Sequence, residues 1–199
     1  MNSSHKIIIP TEFMKMNSMP EDPVNSLCYG KETSLSTGFL IMYPIDVHLA
    51  MPFDNIETVI NGIHSTLDEK QGLIEVRTGI TKNQRKYVYT IIKSQLNPDG
   101  IQYSLTMNID MVDYIIDIKS YFDEKGITGQ RESVIMEKMI RDGKITLPNI
   151  DGWMRDPYDS NYKKGLLMNL SEQSMFDEMF PQHPLSETRN LIKYIIENN

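Results

Sequence analysis

The sequence has little of several features that would indicate where the protein works. Among its 199 residues there is one cysteine, Cys28, so no disulfide can form within the chain, and a reducing compartment is the simplest expectation. No apolar run approaches the ~20 residues of a membrane helix, and the three consecutive isoleucines at 7–9 are too few for a secretory signal. We therefore expect a cytoplasmic protein with no membrane partner.

Clusters of basic residues are also scarce. The formal net charge is −7, and the densest basic pairs, Arg85-Lys86 and Lys163-Lys164, are short and isolated. Proteins that bind nucleic acids usually present a basic stripe or patch to the phosphates. The sequence therefore predicts no nucleic-acid partner.

Motifs that carry chemistry are missing as well. The sequence contains no H-E-x-x-H, C-x-x-C, G-x-S-x-G or glycine-rich phosphate-binding motif. Its four histidines have no partner at metal-ligand spacing, and we interpret His64 as a core-edge residue and His183 as part of a loop. Cys28 has no base placed near it by any signature. We predict no catalytic residue, no metal site and no cofactor; whether the protein is an enzyme stays open, with the balance against.

One acidic loop has two interpretations. Asp156, Asp159 and Asn161 lie in a turn-rich stretch, and oxygen ligands in a loop can hold calcium. Their spacing does not match a calcium-binding loop. A turn in which the aspartates bind their own backbone is the preferred interpretation.

The pattern of apolar residues predicts an α+β fold. Alternation over 73–80, 86–96 and 101–109, with a turn at 97–100, predicts an antiparallel meander, and the apolar run 38–43 predicts a further strand that Pro44 ends. Helical spacing predicts helices over 54–67, 111–126, 130–142 and 185–199, with Asp54 and Asp110 as N-caps of the first two and Ser171 capping a shorter one. Strands followed by helices favour one antiparallel sheet packed by helices.

The chain divides into three ranges by composition. Residues 1–36 predict an irregular arm with a short edge strand at 7–9 that ends at Pro10. Residues 37–147 predict the α+β core, and 148–199 a helical and irregular extension that packs on the core as part of the same domain.

Element order gives a weak resemblance to a known group. A strand that ends in Tyr43-Pro44, then a helix, then the meander over 73–109, resembles the Mog1/PsbP-like group over residues ~38–125. The resemblance implies a binding or accessory protein. The C-terminal pattern, with Asp156-Pro157-Tyr158-Asp159 and Phe180-Pro181, resembles bacterial proteins of unassigned function and implies no chemistry.

The C-terminal stretch 150–196 is rich in aromatic and large apolar residues but has little periodicity, which is atypical of a disordered tail. One interpretation is a satellite core. The other is a partner-binding surface, because these residue types are enriched at interfaces. The candidate residues of that surface are Trp153, Tyr158, Tyr162, Met175, Phe176, Met179 and Phe180.

These observations lead to one functional expectation with two alternatives. We expect a cytoplasmic bacterial protein without catalysis of its own, which binds a protein partner in an accessory role of the immunity or chaperone kind. The first alternative is a small-molecule-binding domain or an enzyme with an unrecognised site. The second is a structural subunit, such as a homodimer that pairs through the edge of its sheet.

Overall fold

The computed structural model describes residues 7–96 and 99–199, and this part of the chain forms a seven-stranded antiparallel sheet with three α-helices. In chain order the strands are β1 (Met14–Met16), β2 (Leu27–Glu32), β3 (Ser36–Ile45), β4 (Gln71–Ile80), β5 (Lys86–Gln95), β6 (Ile101–Asp110) and β7 (Ile115–Glu124). They lie in the sheet in the order β1-β2-β3-β7-β6-β5-β4, which makes β1 and β4 the edges. The helices are α1 (Ile56–Thr66), α2 (Gln130–Arg141) and α3 (Pro184–Asn198). The predicted α+β class is confirmed.

The two faces of the sheet are covered differently. One face, which we call the α3 face, packs against α3 through alternate apolar side chains of β3, β5, β6 and β7. Leu40, Ile91, Met107, Ile118 and Phe122 on this face are fully buried. Burial of large apolar side chains, worth about 1.5–3 kcal/mol each, is the main source of stability here.

The opposite face, which we call the α1 face, is covered by α1 only over β4 and β5. Val59 of α1 packs there with Leu73, Val76 and Val88. Over β3, β6 and β7 this face carries more polar side chains, and Tyr121 at its centre is exposed. An antiparallel sheet commonly has one packed face and one wetter face, and the alternation in the sequence reflects that difference.

The strand predicted over 38–43 occurs as part of β3, but Pro44 does not end it, since Pro44 lies within β3 opposite Ile116. The predicted meander is confirmed, and the first, third and last predicted helices also occur. Their N-caps differ in detail: Asn55 rather than Asp54 caps α1, and its side chain accepts a hydrogen bond from the Thr58 amide at 2.9 Å. Asn169 rather than Ser171 caps the short 3-10 turn Leu170–Glu172. The predicted turn at 97–100 lies partly outside the described residues, which omit 97 and 98.

The helix predicted over 111–126 is wrong. Residues Ile115–Glu124 form β7, which pairs with both β3 and β6 in the middle of the sheet. The same residues satisfy a helical stripe and a strand alternation, because Ile116, Ile118 and Phe122 also fall on one face of a strand. β-branched and aromatic residues favour the strand, and the apolar neighbours on both sides decide the outcome.

The N-terminal range also contains strands where an irregular arm was predicted. β2 pairs with β3 along its whole length, and β1 pairs with β2. Residues 7–9, predicted as an edge strand, form none: the Ile8 amide donates to the Asn199 side chain at 2.6 Å, and the Asn199 amide nitrogen donates back to the Ile8 carbonyl. The backbone at the start of the described chain is therefore hydrogen-bonded to the end of α3 rather than to a strand.

No helix in the described ranges combines the length and the apolar character that crossing a bilayer requires. The residues between α2 and α3 form the C-terminal segment. It consists of irregular chain and the two short 3-10 turns Leu170–Glu172 and Ser174–Met179. This segment borders the hollows described below.

Candidate functional site

The structure distributes the seven predicted partner-surface residues among different environments. Trp153 and Phe176 are only 2% and 3% exposed and pack with Ile135, Met139 and Ile145 in a separate apolar cluster under α2. Phe180 packs at the margin of that cluster, with the Arg131 guanidinium 5.9 Å from its ring centroid. For Trp153 and Phe176 the satellite-core interpretation describes the structure, and neither side chain is accessible to a partner.

The two tyrosines of the predicted surface, Tyr158 and Tyr162, attach the C-terminal segment to the sheet and to α1. The Tyr158 hydroxyl accepts a hydrogen bond from the Val76 amide at 2.6 Å and donates to the Val76 carbonyl at 3.0 Å. Tyr162 stacks on His64 with ring centroids 4.0 Å apart. The His64 Nε2 lies 2.9 Å from the Asp156 carboxylate. Since Val76 belongs to the edge strand β4, Tyr158 occupies a position where another strand could otherwise pair.

The acidic loop forms a turn stabilised by its own side chains. Asp156 accepts hydrogen bonds from the amides of Tyr158 and Asp159, and Asp159 accepts one from the Asn161 amide. This confirms the preferred interpretation of the loop. Across the described residues, no group of three or more His, Cys, Asp or Glu side chains is arranged to hold a metal ion.

Met175 and Met179 are exposed to 71% and 53%, and Met175 and Tyr158 border a groove on the α3 face. The groove consists of two adjoining hollows of about 400 and 390 Å³ that share Glu75, Arg77, Ser174 and Arg189. We call it the tyrosine groove and define it by its outer lining residues Arg77, Tyr87, Tyr89, Tyr158, Ser174 and Met175.

Local sequence explains the aromatic part of this lining. Tyr87 and Tyr89 are two residues apart on β5, so both side chains point to the α3 face, and their rings stack with centroids 6.1 Å apart. Gly79 lies opposite Tyr87 in the β4–β5 pairing. A Cβ atom at position 79 would come within 2.6 Å of the Tyr87 hydroxyl, so the glycine gives the ring room to lie across β4.

Beneath the groove, charged side chains form an alternating chain. The Glu75 carboxylate accepts from the Tyr89 hydroxyl at 2.7 Å and from the Arg189 Nε at 3.0 Å. Arg189 also binds both oxygens of Asp177, which accepts in addition from the Arg131 Nη2 at 2.9 Å. Burial, together with the Glu75 charge, raises the pKa of Tyr89 well above its usual value. These contacts join β4, α3, α2 and the 3-10 turn Ser174–Met179, which contains Asp177.

Arg77 differs from the other residues of this chain, which are at least half-buried, because its side chain is 63% exposed. Its Nε lies 2.6 Å from Glu75, whose charge raises the pKa of the Arg77 guanidinium. The remaining donors of the guanidinium stay accessible on the wall of the groove, where a carboxylate could reach them. A planar guanidinium with free donors suits bidentate recognition of a carboxylate.

A second, smaller hollow lies at the other end of β5 and β6. It has a volume of about 210 Å³, and we call it the polar pocket; its ionisable lining residues are Lys93, Asp99, Tyr103, Glu124, Glu132, Glu172 and His183. Lys93, Tyr103 and Glu172 are each at most 3% exposed. The Glu172 carboxylate binds the Lys93 ammonium at 2.8 Å, the Tyr103 hydroxyl at 2.8 Å and the Asn169 amide at 2.7 Å.

His183 and Glu124 line the same pocket. His183 caps α3, with its Nδ1 accepting from the Leu185 amide at 3.2 Å, and its Nε2 lies 3.5 Å from Glu124. Burial lowers the pKa of His183 although Glu124 opposes that effect. Burial alone would raise the pKa of Glu124, but His183 and the amides of Gly129 and Ile101 together lower it.

Glu132 has a different balance of contacts. It lies in the first turn of α2, and its Oε1 accepts from the Asn169 side-chain amide at 2.9 Å. Burial raises the pKa of Glu132, and the neighbouring charge of Glu172 raises it further. Among the ion pairs within 4.0 Å in the described ranges, none includes Glu132.

Sequence reasoning named Tyr158 and Met175, which line the tyrosine groove, but missed most other residues that line the two hollows, although one signal was present. Glu75 and Arg77 share the strand face whose β5 neighbours are Ile91 and Tyr89, and Lys93 follows on that same face of β5. Charged residues in register with a buried apolar row are candidates for a buried polar network. The residues that pair in this network, Glu172, Asp177 and Arg189, lie far along the sequence from Glu75 and Lys93. Inspection of the sequence therefore could not pair them.

Cys28 is 1% exposed and donates weakly to Asp22, at 3.4 Å. Burial and Asp22 raise the pKa of the Cys28 thiol, so the thiolate is disfavoured. This agrees with the sequence, in which no signature places a base near Cys28.

Comparison of the chain with models of known protein families finds no family that matches, and comparison with curated protein sequences finds no relative. The Mog1/PsbP-like resemblance therefore stays a prediction. The argument for function rests on the two hollows and their charges.

Proposed function

We propose that the protein is a non-catalytic accessory protein that binds a partner protein, and that the tyrosine groove receives an extended segment of that partner. The observation that carries the proposal is the groove itself, with two adjoining hollows of about 400 and 390 Å³ lined by stacked tyrosines and exposed Met175. Tyrosine, methionine and arginine are the residue types enriched where proteins bind one another. A cytoplasmic bacterial role of the immunity or chaperone kind fits this activity.

The charges select the chemistry of the partner segment. Arg189 and Arg131 pair with Glu75 and the half-buried Asp177, and Arg77 adds a second cation beside Glu75, so these acids are already neutralised. The exposed charged residues that line the groove are Arg77, Lys193 and Glu197, two cations against one acid. We therefore propose a segment that carries a carboxylate for Arg77 next to a large apolar side chain that packs on Tyr87.

Binding accounts for the polar residues better than turnover does. A general base or nucleophile needs a free lone pair within reach of a substrate. Tyr89 and Glu75 are hydrogen-bonded to each other in the groove, and Lys93, Tyr103 and Glu172 are bound together in the polar pocket. The weak Mog1/PsbP-like resemblance, which implies an accessory protein, supports the same proposal.

A display library of random peptides, selected on the intact protein, tests the proposal. The expected result is enrichment of peptides in which an acidic residue neighbours an aromatic or large aliphatic one. Binding of these peptides should fall about tenfold or more in Arg77→Glu, because that variant replaces an attractive pair by two like charges. Ser174→Trp, which places a bulky ring in both hollows, should have a similar effect.

Two matched variants control for general effects. Arg141→Glu makes the same charge change at an exposed position of α2 that does not line the groove, and Met179→Trp adds the same ring nearby. Both should bind the selected peptides as the original protein does. Selected peptides that bind Arg77→Glu and Ser174→Trp undiminished, or a library that shows no enrichment, would rule out the groove as the binding site.

A further inference from the structure

We propose that the polar pocket is a binding site for a small organic cation, a molecule with an ammonium or guanidinium group, and that Glu132 is the carboxylate that binds it. The pocket and the tyrosine groove are separate hollows with different lining residues. This site does not depend on the groove, so each proposal can fail while the other stands.

The size of the pocket limits the ligand. Its volume of about 210 Å³ is below the roughly 300–1,000 Å³ of sites for drug-sized ligands. Its walls come from β5, β6, β7, the first turn of α2 and the C-terminal segment, so the fold holds the lining from several sides. A molecule with one charged group and a short carbon chain matches this space.

The charges around the pocket are unbalanced. Glu124, Glu132, Glu172 and the loop residue Asp99 line it, and Lys93 is the cation among its lining residues. Arg131, whose charge helps to lower the pKa of His183, is itself paired with Asp177. The Glu172 carboxylate accepts a hydrogen bond from the Lys93 ammonium. Burial lowers the pKa of His183, so this imidazole is neutral near pH 7. The pocket therefore has an excess of negative charge that a bound cation would offset.

Glu132 is the carboxylate with the most to gain from a cation. Glu124 already accepts from the Ile101 and Gly129 amides, and both oxygens of Glu172 are occupied. Glu132 accepts a neutral amide hydrogen bond from Asn169, and the Trp153 side chain also contacts it. A cation placed against Glu132 would make the charge-assisted hydrogen bond that these neutral donors do not provide.

An organic cation fits the site better than a metal ion. The described residues contain no group of three or more His, Cys, Asp and Glu side chains with metal-binding geometry. Hard cations such as calcium need six to eight oxygen ligands. The Glu132 carboxylate is hydrogen-bonded by neutral donors, and a single ammonium or guanidinium group can satisfy it with one or two hydrogen bonds.

Nuclear magnetic resonance titration of the intact protein tests the site with four defined probes. Putrescine and agmatine supply the cation, 1,4-butanediol has a similar chain without charge, and succinate has the opposite charge. The expected result is saturable shifts of the Thr128, Gly129 and Asn169 amides, which border the pocket, with the two cations alone. Glu132→Gln should weaken these shifts about tenfold or more.

Glu137→Gln is the matched control, because it removes the same charge from an exposed position of the same helix. It should leave cation binding unchanged. The unchanged protein gives a second readout: binding should weaken as pH falls from 7 to 5, because the raised pKa of Glu132 makes this carboxylate protonate earlier than an ordinary glutamate. Asp99, Glu124, Glu172, Lys93 and His183 also face the pocket, so the slope is compared between the protein and Glu132→Gln.

Three outcomes would overturn the proposal. They are equal shifts with butanediol or succinate, equal binding by Glu132→Gln, and absence of saturable shifts with either cation up to millimolar concentration. If Glu132→Gln is less stable, its folded fraction is measured by circular dichroism, and its affinity for the two cations is corrected for that fraction before the comparison.

Discussion

The two faces of the sheet show how the chain divides its residues between packing and exposure. On the α3 face, apolar side chains are fully buried, and at its margins an alternating chain of charges joins the sheet to α2, α3 and the C-terminal segment. On the α1 face, α1 covers β4 and β5, while Lys119, Thr106 and Tyr121 on the central strands remain partly exposed.

The difference explains the aromatic C-terminal segment. Its most conspicuous residue, Trp153, is needed to complete an apolar cluster, and the exposed remainder, chiefly Met175 and Tyr158, borders the tyrosine groove. In this sheet the C-terminal segment extends the cover, because one helix about 10–12 Å wide cannot cover seven strands that lie about 4.8 Å apart. The cover then creates hollows along its own margins, and both proposed sites lie there.

The largest expected effect comes from truncating the buried tryptophan. Trp153→Ala should lower the free energy of unfolding by about 3–5 kcal/mol, because it leaves a large cavity among Ile135, Met139 and Phe176. Met175→Ala, at an exposed position, should change it by less than about 0.5 kcal/mol. Urea unfolding of both variants measures this. Equal losses would mean that Trp153 is not packed as described.

A buried charge is expected to matter almost as much. Glu172→Gln should destabilise by about 3 kcal/mol, because the Lys93 ammonium then stays buried without its carboxylate. Lys119→Met on the α1 face breaks a looser, half-exposed pair with Asp117 and should cost less than about 1 kcal/mol. The double variant Lys93→Met with Glu172→Leu should recover much of the loss. Failure to recover would show that Glu172 acts mainly through Tyr103 and Asn169.

The cap of α3 should make stability depend on pH. Burial lowers the pKa of His183 below its unfolded value of about 6.5, so its contribution is complete above that value and is lost as pH falls towards the folded-state pKa. The loss can reach about 1.4 kcal/mol per pH unit for one proton. Protonation would also place a hydrogen on His183 Nδ1. The atom could then no longer accept the hydrogen bond from the Leu185 amide, and the cap of α3 would be lost.

Urea unfolding between pH 7.5 and 5.5 measures this slope. His183→Asn retains a capping oxygen and should flatten it, because asparagine is a good N-cap that does not titrate. His48→Asn, at an exposed position, is the matched control and should leave the slope unchanged. An unaltered slope in His183→Asn would place the titrating group elsewhere.

The smallest expected effect concerns the edge of the sheet. Tyr158→Phe removes the hydroxyl that binds both the amide and the carbonyl of Val76, and it should cost about 0.5–1.5 kcal/mol. Hydrogen exchange at the Val76 amide should accelerate while that at Thr90, inside the sheet, stays slow. Unchanged exchange at Val76 would show that the segment protects β4 without Tyr158.

Sequence periodicity was sufficient for the elements whose two faces differ in polarity. The meander over 73–109 and the helices near 56, 130 and 184 follow from it, because each has one apolar side that the fold buries. β7 could not be assigned this way. Its isoleucines occur at spacings that suit a helix and a strand equally, and only the pairing with β3 and β6, strands distant in sequence, decides between them.

The sites were less predictable than the fold. Composition indicated that 150–196 is ordered, but it could not separate buried Trp153 from exposed Met175, since both residue types suit cores and interfaces. The buried charges were harder still. Lys93 and Glu172 lie 79 positions apart, and the sequence contains no sign that they form a pair.

Residue-resolved oxidation of the methionines by hydrogen peroxide, followed by mass spectrometry, tests the central claim most directly. The claim is that the C-terminal segment and α3 seal one face of the sheet while the segment exposes its own outer side chains. The prediction is that Met175 and Met179 oxidise as fast as Met14 on the edge strand, whereas Met107 and Met139 are protected in the folded protein. Rapid oxidation of Met107 or Met139, or protection of Met175 and Met179, would contradict it.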